Sequence, residues 1–239
     1  NAFRESASVI GTDVLFVSRM PWVITGRFFQ FRNRPNLTIK ESERLESRLR
    51  GAIAVNPTSS TERSIKLGSE VRDNVTIIGT SHKHMLVSSA VPEAGRFFTA
   101  HEVELTRRVC VIGKTIHEQL YGDRDPVNTQ LQIGRETFRV VGVMESKGQV
   151  LGFDLDDTVY IPVVRALDMF NRESLMEIDV IYEPTAPLAE VEEGVKRILV
   201  ARHGAEDFAV TPQQKMLEVF GTVLDAITFA VAAIGGISL

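Results

Sequence analysis

Apolar residues along this chain fall mostly in short runs bounded by glycine, proline or asparagine, the spacing of buried strands. Asp13-Val-Leu-Phe-Val17 is the first such run. Residues 21–36 break the pattern: Pro, Gly and Asn stand among three Phe and the basic residues Arg27, Arg32 and Arg34, which reads as an irregular loop. Thr38-Ile-Lys-Glu41 is a capping box, in which the Thr side chain and the Glu carboxylate each satisfy a free backbone N–H at a helix start. The helix it opens runs to Arg50, buries Leu45 and Leu49, and stops at Gly51. Ala52-Ile-Ala-Val55 and Ser64-Ile-Lys-Leu67 follow as short strands, and Val75-Thr-Ile-Ile78 as a stronger one closed by Gly79.

The middle of the chain is dense in strand and turn signals. Gly95-Arg-Phe-Phe98 follows a Pro-containing turn, and Val109-Cys-Val-Ile112 is a buried strand ended by Gly113. A short helix runs through Leu120 to Gly122. Leu131-Gln-Ile133 and Phe138-Arg-Val-Val-Gly-Val143 flank Gly134 as a hairpin, and Thr158-Val-Tyr-Ile161 is a further strand that Pro162 leads out of. In the last third, Ile178-Asp-Val-Ile-Tyr182 reads as a strand. Pro187 suits a helix's first turn; Leu188, Val191, Val195, Ile198 and Leu199 form one apolar face, and Gly204 caps the end. Phe208-Ala-Val210 is a strand, and a long helix begins near Pro212. The order is α/β at both ends around a β-rich middle, which predicts an α/β unit interrupted by a second, mostly β unit.

The closing run, Ala226 to Leu239, carries no charge and holds Ile227, Phe229, Val231, Ile234, Ile237 and Leu239. A membrane-spanning helix needs about twenty apolar residues. The run resembles the opening part of one, and Gly235-Gly236 fits a membrane helix better than a soluble one. A C-terminal core helix is the competing reading.

Composition narrows the class. With 239 residues, 44% hydrophobic and 24% charged, the chain can bury a sizeable core and is not of disordered type. A net charge of −4 offers no global field for nucleic acid. The charge is uneven: residues 1–73 hold twelve Lys/Arg against eight Asp/Glu, and residues 166–239 hold five against twelve. The basic excess near Arg27, Arg32 and Arg34 reads as a solvated loop, or as a surface for headgroups or an acidic partner. Cys110 is the only cysteine, lies in an apolar run, and reads as an inert core residue.

Four patterns invite a chemical reading. Val111-Ile-Gly113-Lys114-Thr115 opens a helix after a strand, as a phosphate-binding loop does, but Arg108 stands where that motif needs its first glycine. Asp154-Leu-Asp156-Asp157 gathers carboxylates without the glycine and terminal glutamate of a calcium loop at the required offsets, which leaves turn and strand capping. His82-Lys-His84 has no third ligand near it in sequence. His101, His117 and His203 are scattered, and no nucleophile-elbow signature appears. No residue is therefore assigned a catalytic, cofactor-binding or metal-binding role, and partner-contacting residues stay unassigned.

An ordered set of motifs is more specific than any of these. It runs Gly95-Arg-Phe-Phe98, Arg108-Val-Cys-Val-Ile-Gly113, Leu120-Tyr-Gly122, Asp125-Pro126-Val127, Phe138-Arg-Val-Val-Gly-Val143, Lys147-Gly148 and Gly152-Phe-Asp-Leu-Asp156-Asp157-Thr-Val-Tyr-Ile-Pro162. In this order and spacing it resembles the periplasmic core domain of MacB/FtsX-like ABC transporter permeases, over roughly residues 10–225 and most closely over 90–165. Asn128 departs from that pattern, which has glycine after Asp-Pro-Val; Asn tolerates the left-handed conformation better than most residues.

The resemblance implies an α+β fold: a porter-like α/β subdomain built from 1–75 and 165–225, an inserted β-rich sabre-like subdomain over 76–164, and the start of a transmembrane helix over 226–239. It implies a domain on the extracytoplasmic side of the cell membrane, without catalysis of its own. Such a domain couples ATP hydrolysis in a cytoplasmic ABC ATPase domain or subunit to export or extraction of a substrate. The partners implied are that ATPase, a second permease copy, and a periplasmic adaptor or lipoprotein carrier. The alternatives are a lipoprotein-sorting permease domain of the same architecture and a soluble α/β enzyme or sensor domain, which membrane spans encoded on both sides would separate from the first reading.

Overall fold

The computed structural model of the protein describes residues 13–21, 34–88, 90–150, 153–219, 221–223 and 226. Strands β1 (Val14–Ser18), β11 (Glu177–Tyr182), β12 (Ala209–Pro212) and the first half of β2 (Ala52–Leu67) lie in the order β12-β1-β11-β2, all antiparallel. Alternation along these strands gives the sheet two apolar faces. One face presents Leu15, Val17, Val55, Ile178 and Val180 to helices α1 (Ile39–Arg48) and α6 (Leu188–His203), whose Leu45, Leu49, Val191, Val195 and Leu199 complete the core. The capping box forms at α1, with the Thr38 N–H donating to Glu41 Oε2 at 2.8 Å. Pro187 precedes α6, and Gly204 ends it in the left-handed conformation. The opposite face carries Val14, Phe16, Ala54 and Ile181, with Val87 of α2 (His84–Val87) and Met216 of α7 (residues 213–219) against it.

The second half of β2 pairs with β3 (Glu70–Thr80). From there the pairing runs through β10 (Thr158–Pro162), β5 (Val109–Ile112), β7 (Glu136–Met144) and β6 (Gln130–Ile133), and β6 returns to β2 through Ile65↔Ile133. These strands close into a ring. Their inward positions alternate as the pleat requires: Val75 and Ile77, Val159 and Ile161, Cys110 and Ile112, Phe138 and Val140, Leu131 and Ile133, with Ile65 from β2, all without exposure to solvent. Each Val, Ile, Leu and Phe among them contributes about 1.5–3 kcal/mol relative to an exposed side chain. Helix α4 (Lys114–Ile116, continued by a π turn over His117–Tyr121) adds Ile116, Leu120 and Tyr121 to this core, and α5 (Val163–Phe170) adds Ala166 and Phe170. The outward residues Val109, Val111, Val141 and Tyr160 pack instead under Ala90, Phe97 and Phe98, which flank β4 (Pro92–Gly95). The hairpin of β8 (Gln149–Val150) and β9 (Phe153–Asp154) stands apart from the ring.

Two features differ from the sequence reading. Residues 52–55 and 64–67 are not separate strands but the ends of one 16-residue strand, β2, which belongs to both the end-built sheet and the ring. The strand pairing therefore carries 59–75 into the ring along with strands from 76–164, and one hydrogen-bonded path connects the two halves. The stretch that joins the two runs opens with Asn56-Pro57-Thr58, residue types that are common in turns. Here Pro57 sits near the point where β2 exchanges β11 for β3, a place in a strand that tolerates a missing N–H. The second difference is α5, where the residues after Pro162 form a helix rather than a simple exit. Most of the 21–36 loop and of the 226–239 run lies outside the described residues, and so do both chain ends. No helix among the described residues is long and apolar enough to cross a membrane.

Candidate functional site

The residues that invite a chemical reading are occupied with building the ring. At Gly113, the N–H donates to the Thr158 carbonyl at 2.8 Å, and a Cβ on this residue would stand 2.2 Å from the Asp156 carbonyl oxygen. Glycine is needed for that close approach, not for wrapping a phosphate. Lys114 Nζ is paired with Glu93 at 2.5 Å, and Thr115 Oγ1 donates to Asp154 at 2.8 Å. The helix that follows changes to a π turn after Ile116.

The carboxylates of the Asp154–Asp157 run are each engaged. Asp156 is buried and accepts from Ser146 Oγ at 2.6 Å, the Lys147 N–H at 2.7 Å and the Gly148 N–H at 3.0 Å, so it holds the loop that leaves β7. Asp154 accepts from the Asp156 N–H at 2.8 Å, and Asp157 is paired with Arg72 at 3.0 Å. Among the described residues no three His, Cys, Asp or Glu side chains gather as a metal would require. These bonds explain why Lys147-Gly148 and Gly152-Phe-Asp-Leu-Asp156-Asp157 occur as one motif: one carboxylate ties its two halves together.

The remaining motif residues serve the same structure. Arg96 forms a two-pronged ion pair with Glu102 at 2.7 and 2.8 Å, and Glu102 also closes the capping box of α3 (Ala100–Glu104) at Thr99. The Arg96 bonds hold the Glu102 carboxyl down to about 2, against burial, with help from the Thr99 N–H and hydroxyl. Gly142 faces the backbone of Arg96 so closely that a Cβ there would lie 2.3 Å from its carbonyl oxygen. Asn128 has a φ of 66°, the left-handed conformation that glycine otherwise supplies.

The histidines do not converge. His84 lies at the start of α2, with its ring 5.9 Å from Phe97 and 5.1 Å from Tyr160. Burial, helped by the nearby Lys147 charge, pushes its imidazole down to about 3. His203 bonds Asp207 at 2.5 Å and stands 3.8 Å from Glu41, joining the end of α6 to the start of α1. Cys110 is fully buried in the ring.

A polar cluster that the sequence reading passes over sits where β2 crosses from one half to the other. Asn56 Nδ2 donates to Asp179 at 2.8 Å, and Thr58 Oγ1 donates to the same oxygen at 3.2 Å. Asn56 Oδ1 accepts from Thr80 Oγ1 at 3.0 Å, from Ser81 Oγ at 2.7 Å and from the Ser81 N–H at 3.2 Å. All five residues are buried. One asparagine thus links β11 of the end-built sheet to the end of β3 in the ring. The available signal was Asp179 itself, a carboxylate inside the apolar run Ile178-Asp-Val-Ile-Tyr182. Glu177, two residues before Asp179 on β11, lines an open cavity of about 450 Å³ together with Arg19, Asn36 and Met176. A second groove, of about 520 Å³, runs between Arg50-Gly51 and the first turns of α6.

Comparisons agree with the resemblance. Residues 1–198 match the MacB-like periplasmic core domain. The macrolide export ATP-binding/permease protein MacB of Bdellovibrio bacteriovorus is 23% identical over the whole chain, which covers 38% of that protein. The MacB of Rhodospirillum rubrum is 30% identical over 85% of the chain and 32% of its own length. The chain thus spans about a third of the length of these relatives. The crystal structure of the periplasmic region of MacB from Actinobacillus actinomycetemcomitans superposes with a TM-score of 0.75 at 18% identity, covering 92% of this chain and 98% of that one. The extracellular domain of the transporter YknZ from Gram-positive bacteria superposes with 0.69 at 20% identity, over 83% and 100%. The mixed sheet, the ring and the ordered motifs that hold it together belong with this match over residues 1–198: the chain belongs to the MacB-like periplasmic core domain family.

Proposed function

We propose that the chain is the extracytoplasmic part of an ABC permease and works mechanically. ATP is hydrolysed in a separate cytoplasmic domain or subunit, and this part passes the resulting movement to a substrate or partner outside the membrane. The observation that carries the reading is the use made of the family motifs. Gly113, Asp156, Gly142 and the Arg96–Glu102 pair are committed to packing and loop bonds, while among the described strands β2 alone runs from the end-built sheet into the ring. A stiff ring on a shared strand suits transmission of force or angle. In this reading the chain works as two parts. A porter-like part comes from both ends of the described chain, a sabre-like part is centred on the ring, and the division falls in β2 near Ser59. Residues 226–239 lead into the membrane. A second permease copy and an adaptor or lipoprotein carrier complete the assembly, and relatives named for macrolide export make a macrolide the first substrate to assay.

The test uses the full-length protein that carries this chain. Cys110 is buried and serves as a silent background. A cysteine placed at the exposed Asp123 should react with a membrane-impermeant maleimide in intact spheroplasts. Reaction only after lysis overturns the extracytoplasmic assignment. In parallel, the isolated chain should show no saturable ATP binding at micromolar concentrations, and saturation overturns the assignment of hydrolysis to another domain.

A further inference from the structure

Asp179 is 3% exposed, and none of its partners among the described residues is a cation. Its Oδ2 accepts from Asn56 and Thr58, whereas its Oδ1 has no N–H or O–H donor among the described residues. The other carboxyl that acts on Asp179 is that of Glu177. The two residues are two apart on β11, so their side chains leave the same face, opposite Thr58 and Asn56 of β2. Two ionised carboxylates side by side on one strand face repel and have no hydrogen to share; one proton between them removes the repulsion and satisfies the orphaned oxygen.

We infer that Asp179 and Glu177 hold a single proton between them, and that this proton is a titratable latch on the seam where β2 passes from the end-built sheet to the ring. Burial pushes the Asp179 carboxyl up to about 6, against the bonds from Asn56, Thr58 and Glu177 that favour the charged form. Among the described residues, the other ionisable groups on elements packed against this face are His82, Lys83 and His84 around the start of α2, Arg19 beyond β1, and the exposed Lys215 and Glu218 of α7. None is among the groups acting on Asp179. Glu177 lines the 450 Å³ cavity, which gives the pair a route to solvent. The folded value lies above the unfolded one, near 3.8, so the latch is fully closed below about pH 4 and opens as the pH rises through about 6.

Asp179→Asn tests this. Its amide oxygen still accepts from Asn56 and Thr58, and its amide nitrogen gives Glu177 a donor that no pH removes. The ratio of its folding equilibrium constant to that of the wild type should grow roughly 100-fold between about pH 4 and pH 6.5 and then level off, since each pH unit of displaced titration is a factor of ten. A ratio flat across that range overturns the shared proton. Glu177→Gln supplies Oδ1 with an amide donor, so the Asp179 carboxyl carbon, followed by NMR, should titrate near 6 in the wild type and well below that in the variant. If Asp179→Asn does not fold, this comparison decides alone, and a wild-type signal titrating at the ordinary aspartate value overturns the proposal. Native-state hydrogen exchange tests the latch itself. Protection at Asn56, Thr58 and residues 177–179 should fall between about pH 5 and pH 7, corrected for intrinsic rates, while protection at 138–141 holds; equal change in both overturns the assignment to the seam.

Discussion

Replacing Asp156 with alanine removes the tie between the loop after β7 and the turn before β10. The loss can be worked from the bonds. Three donors, one hydroxyl and two backbone N–H groups, point at this carboxylate from 2.6 to 3.0 Å. A hydrogen bond to a charged group contributes about 1.5–3 kcal/mol, so simple addition gives at least ~4.5 kcal/mol. Residues 145–148 are half-buried or exposed, and water takes over part of the bonding in the variant. The expected cost is therefore about 2–4 kcal/mol. Asp156→Asn keeps the shape and one acceptor oxygen, and should cost about 1–2 kcal/mol. The assay is urea unfolding at neutral pH, where a slope of about 3 kcal/mol/M turns a 3 kcal/mol loss into a midpoint shift of about 1 M. The slope itself should not change. An Asp156→Ala midpoint indistinguishable from the wild type would refute the claim that this carboxylate organises the motif.

Other outcomes follow from the same bonds. Phe138→Ala empties the ring at a position with no solvent exposure and should cost about 3–5 kcal/mol in the same titration. Gly142→Ala sets a methyl 2.3 Å from the Arg96 carbonyl oxygen and should cost more than about 3 kcal/mol. Gly68→Ala, with open space and a positive φ, should cost only about 1 kcal/mol in thermal melts. Glu102 lies low at about 2 when folded, so its contribution is present above the unfolded value near 4.5 and disappears as the pH falls toward 2. Glu102→Gln should accordingly be less stable than the wild type at pH 7 and equal to it near pH 2, read by urea midpoints at each pH.

Period-two alternation made most of the ring legible. Val109–Ile112, Phe138–Val143 and Thr158–Ile161 are strands at the places their apolar runs indicate, and the Gly134 hairpin pairs as expected. Helices α1 and α6 carried both capping and periodic signals, and both formed. What local pattern does not contain is partner exchange. Residues 56–64 are polar or proline with no strand period, and they are extended because two different neighbours hold them, β11 as far as Thr58 and β3 from Ser59 onward. Closure of the ring through Ile65 and Ile133 joins positions far apart in sequence, which no window of local pattern can reveal. Helix α5 was obscured for another reason: Val163-Val164 favours a strand by propensity, yet the segment is helical in the structure, where Ala166 and Phe170 meet the ring core.

The seam also explains why a polar cluster occupies a fully buried place that valine or leucine would fill with less risk. Apolar contacts are non-directional and tolerate sliding, whereas hydrogen bonds fail within a few tenths of an ångström or a few tens of degrees. Asn56 accepts from Thr80 and Ser81 and donates to Asp179, so a rotation of β3 against β11 about β2 breaks several bonds together. Buried polar groups left without partners are costly, which makes the intermediate angles unfavourable. A seam of this kind holds one angle firmly until enough bonds are given up at once. The ring beyond it is closed by pairing through β6 and β2 and filled with apolar side chains. In the mechanical reading proposed above, β2 bends near Pro57 while α5, which packs on both cores through Val163 and Leu167 on one side and Ala166 and Phe170 on the other, follows the turn, and the chemistry available at the seam is the proposed protonation of Asp179.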